Sequence, residues 1–271
     1  MAAQEDSVKR KRLTTVIVSS TVVVPATYAG LYNVWYKNSP RQRFTFFNDN
    51  AEWKQVDKAG HFISSFYFSY AGSEVLRWSG VKPKRADLAG ALAGFLIIAP
   101  IELFDGYSAD YGASTGDLIA DAAGPLFFFG QRKLWNEVRI HPKFSFHQTG
   151  YAPLRPNVLG NNLVTEIIKD YNGQTHWLSF DVDKFMRFPK WLNVAVGYGA
   201  DGMVYARDDE NTSNGYAPYR QFYLSLDFDL TAIRSRSKVV RTALFLANIV
   251  KLPAPALILS KNRAEFRPFY F

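Results

Sequence analysis

The first apolar stretch of the chain is uninterrupted by charge. Residues 13–36 contain no Asp, Glu, Lys or Arg, and the four residues before them, Lys9 to Arg12, are all basic. A helix of this length crosses the hydrocarbon core of a bilayer with some tilt. The pattern therefore predicts a retained N-terminal membrane helix.

Two other interpretations of this stretch stay open. A signal peptide also has a basic start and an apolar run, here to Val24, with a small residue at Ala26. Glu5 and Asp6 precede the basic cluster and argue against it, and the start at residues 1–4 is typical of a processed export signal with a Met in front. The third interpretation is a partly buried helix of a soluble core, because Ser and Thr dilute the run.

A second helix is predicted from about Ala51 to Trp78. Asp49 or Asn50 is placed to cap its first turn. Gly80 and Pro83 end it.

Two further helices are predicted in the next apolar segments. Residues 88–101 form an apolar run with Pro100 near its end, too short to span a membrane alone and typical of a buried or re-entrant helix. Residues 114–117, Ser-Thr-Gly-Asp, form a capping-box pattern that opens another apolar helix to about Glu137.

The pattern changes to a period of two in the second half of the chain. Residues 141–160 show little periodicity and predict a connecting loop, and a short helix follows at about 161–171. Apolar and polar residues then alternate in 177–183, 192–198 and 220–230, which predicts strands with one apolar and one polar face.

Strands of this kind occur both in half-buried soluble sheets and in outer-membrane barrels. Four or five strands are fewer than the roughly eight that a membrane barrel needs, which favours a small antiparallel sheet packed on helices. Residues 238–259 resemble an amphipathic helix, and residues 266–271 a last strand. The predicted fold class is α+β: an N-terminal apolar helical bundle in residues 1–140, associated with the membrane, and a small antiparallel sheet with helices in residues 141–271.

Composition narrows the function classes. A hydrophobic content of 48% excludes wholesale disorder, and an aromatic content of 16% suits a membrane interface. The absence of Cys excludes disulfides, thiolate catalysis, Cys-ligated metals and a lipidated Cys in this sequence. The net charge is +8, and its two basic clusters, at 9–12 and 234–238, fit membrane flanks better than a nucleic-acid groove, so no nucleic-acid partner is expected.

Acidic and imidazole side chains recur four residues apart in the apolar helices, a spacing that puts both on the same helix face. Asp57 and His61 are four residues apart on the second helix, and Asp117 and Asp121 repeat that spacing on the helix that follows the capping box. Carboxylates in apolar helices are costly unless they are paired or coordinated.

A third segment adds two more acids, Glu102 and Asp105, at the end of the apolar run. If the segments converge, three chemistries are open: a structural polar network, a divalent metal site, or acid–base catalysis in which Glu102 or an Asp tunes His61. The candidate catalytic residues are His61, Asp57, Glu102 and Asp117, and the candidate metal ligands are Asp121 and Asp105, with His61 and Glu102.

The order of these motifs resembles a known family. Residues 57–62 (DKAGHF), 102–106 (ELFDG), 114–117 (STGD) and 121–124 (DAAG) are similar to the motifs of the YfiM-like family of predicted periplasmic or outer-membrane-associated (lipo)proteins. A weaker similarity connects them with the VanZ-like membrane proteins. The resemblance is best over residues 44–137.

The resemblance implies an envelope location, at the outer membrane or its periplasmic face, and no established activity. It singles out the same six side chains, although the related pattern usually has Asn where this chain has Asp121. Without Cys, anchoring falls to the apolar helices. The leading hypothesis is an envelope protein of unknown activity whose partners are membrane lipid and other outer-membrane proteins. The alternatives are a membrane-embedded hydrolase or transferase acting on a lipid or cell-wall precursor, and a structural subunit of an outer-membrane assembly.

Overall fold

The chain folds as a mixed α+β protein. A computed structural model describes residues 2–37 and 39–271, so Met1, the first residue of the predicted export-signal remnant, lies outside the described residues. Two compact units share the chain. The helical unit contains residues up to Asp49 together with His61–Glu137, and the sheet unit contains Asn50–Gly60 and Val138–Phe271.

The N-terminal helix of the helical unit, α1, runs from Ala2 to Trp35 and is longer than its uncharged stretch. Its aliphatic side chains, including Val18 and Val22, are mostly exposed. Within the described residues, two helical segments, Asp6–Trp35 and Pro83–Gly106, are long and apolar enough to cross a membrane.

The second helix begins later than its pattern predicts. A short 3-10 turn, Trp53–Gln55, precedes α2, which runs from Val56 to Trp78. The turn residues have positive φ values of 45°, 53° and 62°, which a right-handed helix from Ala51 does not allow. Contacts within the sheet unit hold this turn, since the Trp53 amide donates to the Ala206 carbonyl at 2.8 Å.

The remaining helices of this unit follow the apolar segments. The run at 88–101 is divided, because α3 spans Pro83–Ile98 and α4 spans Ile101–Gly106, with a turn at Pro100 between them. Helix α5 runs from Thr115 to Trp135, and the Ser114 hydroxyl accepts from the Asp117 amide at 3.0 Å. The predicted Ser cap is therefore confirmed.

Small residues let these helices approach one another closely. A Cβ atom added at Gly94 of α3 would collide with Ser69 of α2, and one added at Gly124 of α5 would collide with Ser65 of α2. Helix α2 is thus in close backbone contact with both neighbours, which brings the polar side chains of all three helices within reach of one another.

Six antiparallel strands form the sheet of the second unit, in the order in which they occur in the chain. A separate two-stranded ladder joins β1 and β2 in the helical unit. The strands are β1 Phe46–Phe47, β2 Ala113–Ser114, β3 Ile140–Phe146, β4 Gln174–Phe180, β5 Leu192–Asp201, β6 Tyr219–Phe228, β7 Ala254–Ser260 and β8 Arg263–Tyr270. The short helices between them are α6 Pro156–Leu159, α7 Leu163–Lys169, α8 Asp208–Ser213 and α9 Lys238–Ala247.

The sheet buries its polar face. On β6 the predicted alternation is confirmed, but Asp227 is fully buried while Leu224 is 49% exposed. A sheet packed on helices through its apolar face is therefore wrong for this strand. The reason is that the sheet curls around a polar and aromatic interior, in which the Tyr270 hydroxyl of β8 donates to Tyr223 of β6 at 2.8 Å and lies 3.1 Å from Thr175 Oγ1 of β4.

An ion pair neutralises the charge inside the sheet. Lys143 Nζ of β3 lies 2.7 Å from the Asp227 carboxylate and donates to the Phe228 carbonyl and to Asn248 Oδ1, each at 2.9 Å. Ser179 donates a further hydrogen bond to Asp227 at 2.6 Å. With these bonds a buried carboxylate is tolerated.

Two predictions in this half of the chain are wrong. Residues 141–160 are not all loop, because 141–146 belong to strand β3, whose Pro142 hid the alternation. Residues 238–259 are not one helix, because α9 ends at Ala247 and β7 follows. The segment between them pairs with β3, where the Phe144 amide donates to the Ile249 carbonyl at 2.9 Å.

The pH dependence of the sheet unit follows from His176 of β4. Burial lowers the pKa of this imidazole to about 4, so the unfolded chain, with an ordinary value near 6.5, binds the extra proton between these two pH values. We expect the stability of the sheet unit to rise with pH across this window, by up to about 1.4 kcal/mol per pH unit from this group, and to be constant above it as far as His176 is concerned. Hydrogen exchange of β5 amides measures this slope, which should be smaller in His176→Gln; an equal slope in both proteins would contradict the assignment.

Candidate functional site

Three helices of the helical unit bring their polar side chains to one point. His61 comes from α2, Glu102 from the first turn of α4, and Asp121 from the second turn of α5. His61 Nδ1 and Asp121 Oδ1 are 2.9 Å apart, within hydrogen-bond distance. One ligand atom from each of the three residues lies within 4.8 Å of the other two. We refer to these three residues as the His–Glu–Asp site.

The two acids of this site are buried and incompletely bonded. Glu102 is 2% exposed and Asp121 is fully buried. One Glu102 oxygen, Oε2, accepts from the Ser114 amide at 2.6 Å. The other, Oε1, and Asp121 Oδ2 have no hydrogen-bond partner among the described residues. Buried oxygens of this kind cost free energy until a proton, water or cation satisfies them.

His61 is the member that solvent reaches, since 21% of its side chain is exposed. Burial lowers its pKa. The hydrogen bond with Asp121 and the charges of Asp117, Asp121 and Glu102 raise the pKa by more, so that the net value is about 9. At neutral pH, with no cation bound, the imidazole therefore carries a positive charge that balances Asp121, while burial raises the pKa of Glu102 to about 8 and keeps that acid protonated.

The structure places the other candidates outside this cluster. Asp105 accepts a hydrogen bond from the Tyr36 hydroxyl at 2.8 Å. The Asp57 carboxylate lies 3.3 Å from Lys58 Nζ, an ion pair of neighbours in sequence. Asp117 is buried in the first turn of α5, where its amide is capped by Ser114, and its charge acts on His61.

Sequence reasoning missed a second polar cluster in the helical unit. Asp87 of α3 accepts two hydrogen bonds from Arg77 Nη2 at 2.7 Å, and one from Ser73 at 2.7 Å. Arg132 of α5 lies 3.3 Å away from it. The sequence signal for this cluster was Asp87, a single acid directly before the apolar run. The pattern of residues 83–87 makes it look like an ordinary acid at the start of a helix. Because its charges are all paired, this cluster stabilises the packing of α2, α3 and α5 and offers no vacant ligand.

Imidazole and carboxylates in a partly accessible site support two chemistries. A divalent cation accepts ligands of both types, and a carboxylate–imidazole pair also transfers protons. A cation would satisfy both unbonded oxygens at once, whereas one proton would satisfy only one of them.

The segment that contains the site matches a protein-family model. Residues 45–129 match the family described as "Predicted periplasmic lipoprotein (DUF2279)". The matched segment is about a third of the chain and contains all three residues of the His–Glu–Asp site. No curated protein and no solved structure matches the chain.

This match supports likeness to an uncharacterised family of periplasmic proteins and an association with the cell envelope. The finer likeness to YfiM-like and VanZ-like proteins stays a prediction. None of the 271 residues is a cysteine, so no residue of this sequence can carry the thioether-linked lipid of a lipoprotein.

The coupling between His61 and Asp121 is open to direct measurement. Asp121→Asn keeps a hydrogen-bonding group beside the imidazole but removes its negative charge. In metal-free protein we expect the pKa of His61 to fall from about 9 toward the ordinary value of a histidine.

Proton NMR titration of the His61 ring measures this change, with its signal assigned through His61→Gln. Asp110→Asn, which removes a carboxylate from the surface of the same unit, is the matched control and should leave the titration unchanged. An identical His61 titration in wild type and Asp121→Asn would show that the two side chains do not interact.

Proposed function

We propose that the protein is an envelope protein, anchored in a membrane by α1, whose helical unit binds a divalent metal ion at the His–Glu–Asp site. The observation that carries the metal is the pair of buried carboxylate oxygens, Glu102 Oε1 and Asp121 Oδ2, that have no partner among the described residues beside an imidazole. A cation shared by the three side chains would remove the cost of both oxygens.

The donor set fits an ion of intermediate hardness. One imidazole and two carboxylates, with no thiolate in the chain, suit Zn²⁺ or Mn²⁺ better than the soft metals that cysteine selects. Ligands held at about 2.1 Å from one ion lie at most about 4.2 Å apart, and the three donors lie within 4.8 Å of one another. Small side-chain rotations close that difference.

The surroundings of the site hold its ligands in place. The Ser114 amide fixes one oxygen of Glu102 at 2.6 Å, so the side chain presents its second oxygen. The Ser114 amide therefore orients Glu102, as hydrogen-bonding groups behind the ligands do in other metal sites.

Helix α1 supports the proposed anchoring. The 24 uncharged residues from Leu13 to Tyr36 would be about 36 Å long as a helix, and a hydrocarbon core is about 30 Å thick. Their exposed aliphatic side chains would otherwise face water. Contacts with the folded unit favour a retained helix over a cleaved signal, since the Tyr28 hydroxyl donates to the Ile97 carbonyl at 2.7 Å. We place the protein at the outer membrane or its periplasmic face.

A hydrolytic role is the second candidate, and the exposure of His61 favours it. Three protein ligands leave a further coordination position, and a metal in such a site lowers the pKa of bound water. In this role the two buried acids would hold the metal, and the exposed edge of His61 would admit the substrate. Hydrolysis of a polyprenyl pyrophosphate by the metal-loaded protein, absent in Glu102→Gln, tests this role; equal rates in the two proteins would exclude it.

Metal binding is tested on the full chain in detergent after removal of metals with EDTA. We expect Zn²⁺ or Mn²⁺ to raise the melting temperature, because an ion at 100 times its dissociation constant stabilises the folded state by about 2.7 kcal/mol. Glu102→Gln and Asp121→Ala should each weaken the binding measured by calorimetry at least about tenfold.

Asp110→Asn is the control for non-specific binding to surface acids and should bind as the wild type does. Absence of any thermal shift with both ions in the wild type would contradict the proposed metal site. So would equal affinity in all three variants.

Anchoring is tested by washing membranes with alkaline carbonate. We expect the wild type to stay in the pellet and Val18→Asp/Val22→Asp to be released, because an acid at the centre of a membrane helix costs about 3 kcal/mol. The matched pair Val18→Ala/Val22→Ala should stay in the pellet. Complete recovery of the wild type in the soluble fraction without detergent would contradict the anchor, and the mass of the membrane-bound protein shows whether α1 is retained.

A further inference from the structure

The outer face of the sheet is apolar and exposed. On the central strands its side chains pair across the sheet, Val196 with Leu224 and Leu224 with Leu257, and the next neighbour of Leu257 is Phe266. Val196, Leu224 and Phe266 are each more than two-fifths exposed. The patch therefore continues across four strands, and patches of this extent on a protein surface mark a contact with something apolar.

The opposite face leaves no room for these side chains to turn inward. Trp177, Tyr223 and Tyr270 pack against each other there, with ring centroids 4.7–6.0 Å apart. The Lys143–Asp227 ion pair fills another part of the same interior. A polar inside with an apolar outside is the arrangement of sheets whose solvent is lipid.

A basic amphipathic helix connects two strands of this patch. Helix α9 follows β6 and leads to β7, and all of its residues are at least partly exposed, Val239 by 78%. Arg234, Arg236 and Lys238 precede or begin it, and Arg241 follows one turn later. Exposed aliphatic side chains among basic ones are typical of helices that lie at the surface of an anionic membrane.

We propose that the sheet unit docks on a bilayer that contains anionic lipids, with the outer face of β5–β8 against the acyl chains and residues 234–241 at the headgroups. The proposal adds a second membrane contact to the anchor in α1. It rests on the envelope location proposed above and not on the metal site.

Charge favours a bilayer over a second copy of the chain as the occupant. Two copies that pair through this patch bring their basic segments to the same interface, where like charges repel. Anionic headgroups neutralise the segment instead, at about 1 kcal/mol for each basic residue near the surface.

Because the chain has no Cys, a thiol-reactive spin label attaches only at a Cys that is introduced by mutation. Single substitutions Val196→Cys and Leu224→Cys place a nitroxide spin label on the outer face, and Ser213→Cys, on exposed helix α8, is the matched control. Each full-length variant is reconstituted into vesicles of one part phosphatidylglycerol to three parts phosphatidylethanolamine, and circular dichroism checks its fold.

We expect labels at 196 and 224 to collide more with oxygen than with a water-soluble nickel chelate, as labels in hydrocarbon do. The label at 213 should show the opposite preference. Replacing Arg234, Arg236, Lys238 and Arg241 by Gln should shift the labels at 196 and 224 toward the chelate. Glu102→Gln should leave them unchanged, which separates this proposal from the metal site.

Labels at 196 and 224 that stay accessible to the nickel chelate in vesicle-bound protein would overturn the proposal while leaving the α1 anchor intact. Dipolar coupling between labels at 224 on two copies, equal in detergent and in vesicles, would overturn it in favour of a second copy. Failure of the whole protein to associate with vesicles would overturn both the anchor and the docking surface.

Discussion

A carboxylate that leaves water needs a compensating charge or a full set of hydrogen bonds, and both units of this protein are built around that constraint. In the sheet unit Asp227 meets it mainly through charge, because Lys143 and the Ser179 hydroxyl both contact Oδ2, while Oδ1 has no hydrogen-bond partner among the described residues. In the helical unit Asp87 meets it through two arginines. At the His–Glu–Asp site two neighbouring buried oxygens, Glu102 Oε1 and Asp121 Oδ2, have no hydrogen-bond partner among the described residues.

This contrast separates structure from function within one fold. Where every charge is paired, removal of a partner lowers stability and little else follows. Where pairing is incomplete, the protein carries a cost that evolution tolerates mainly for binding or chemistry. His61 carries a positive charge beside Asp121, and burial raises the pKa of Glu102 to about 8, so a cation that binds here would displace a proton from Glu102.

Much of the helical unit could be predicted from the sequence, because its signals are local. The Ser114 cap and the four-residue spacing within α2 and α5 depend only on helix geometry. Convergence of His61 with Glu102 and Asp121 could be inferred only from the free-energy cost of an unpaired carboxylate in an apolar helix, because a sequence does not show which helices are in contact. Asp105 lies three residues after Glu102 and looked equivalent to it, but its carboxylate accepts a hydrogen bond from Tyr36, a partner that the spacing does not predict.

The sheet unit was harder to predict, because its information lies in tertiary context. The alternation on β6 gives the period but not which face is buried, and hydrophobicity alone assigns that face wrongly when the interior is polar. Pro142 hid an entire strand, and the apolar end of α9 merged with β7 because a strand edge and an amphipathic helix share short apolar runs. The left-handed turn at Trp53–Gln55 likewise depends on a carbonyl more than a hundred residues away.

The sheet, with its polar face buried and its apolar face exposed, also affects how the chain reaches its native state. Collapse in water draws apolar side chains inward, and for β5 and β6 the collapsed arrangement is the opposite of the native one. A slip of one residue in strand pairing would exchange the two faces of the slipped strand. The medium in which this chain folds therefore helps to select its register, and a newly made chain held in water faces a competing topology whose inside and outside are reversed.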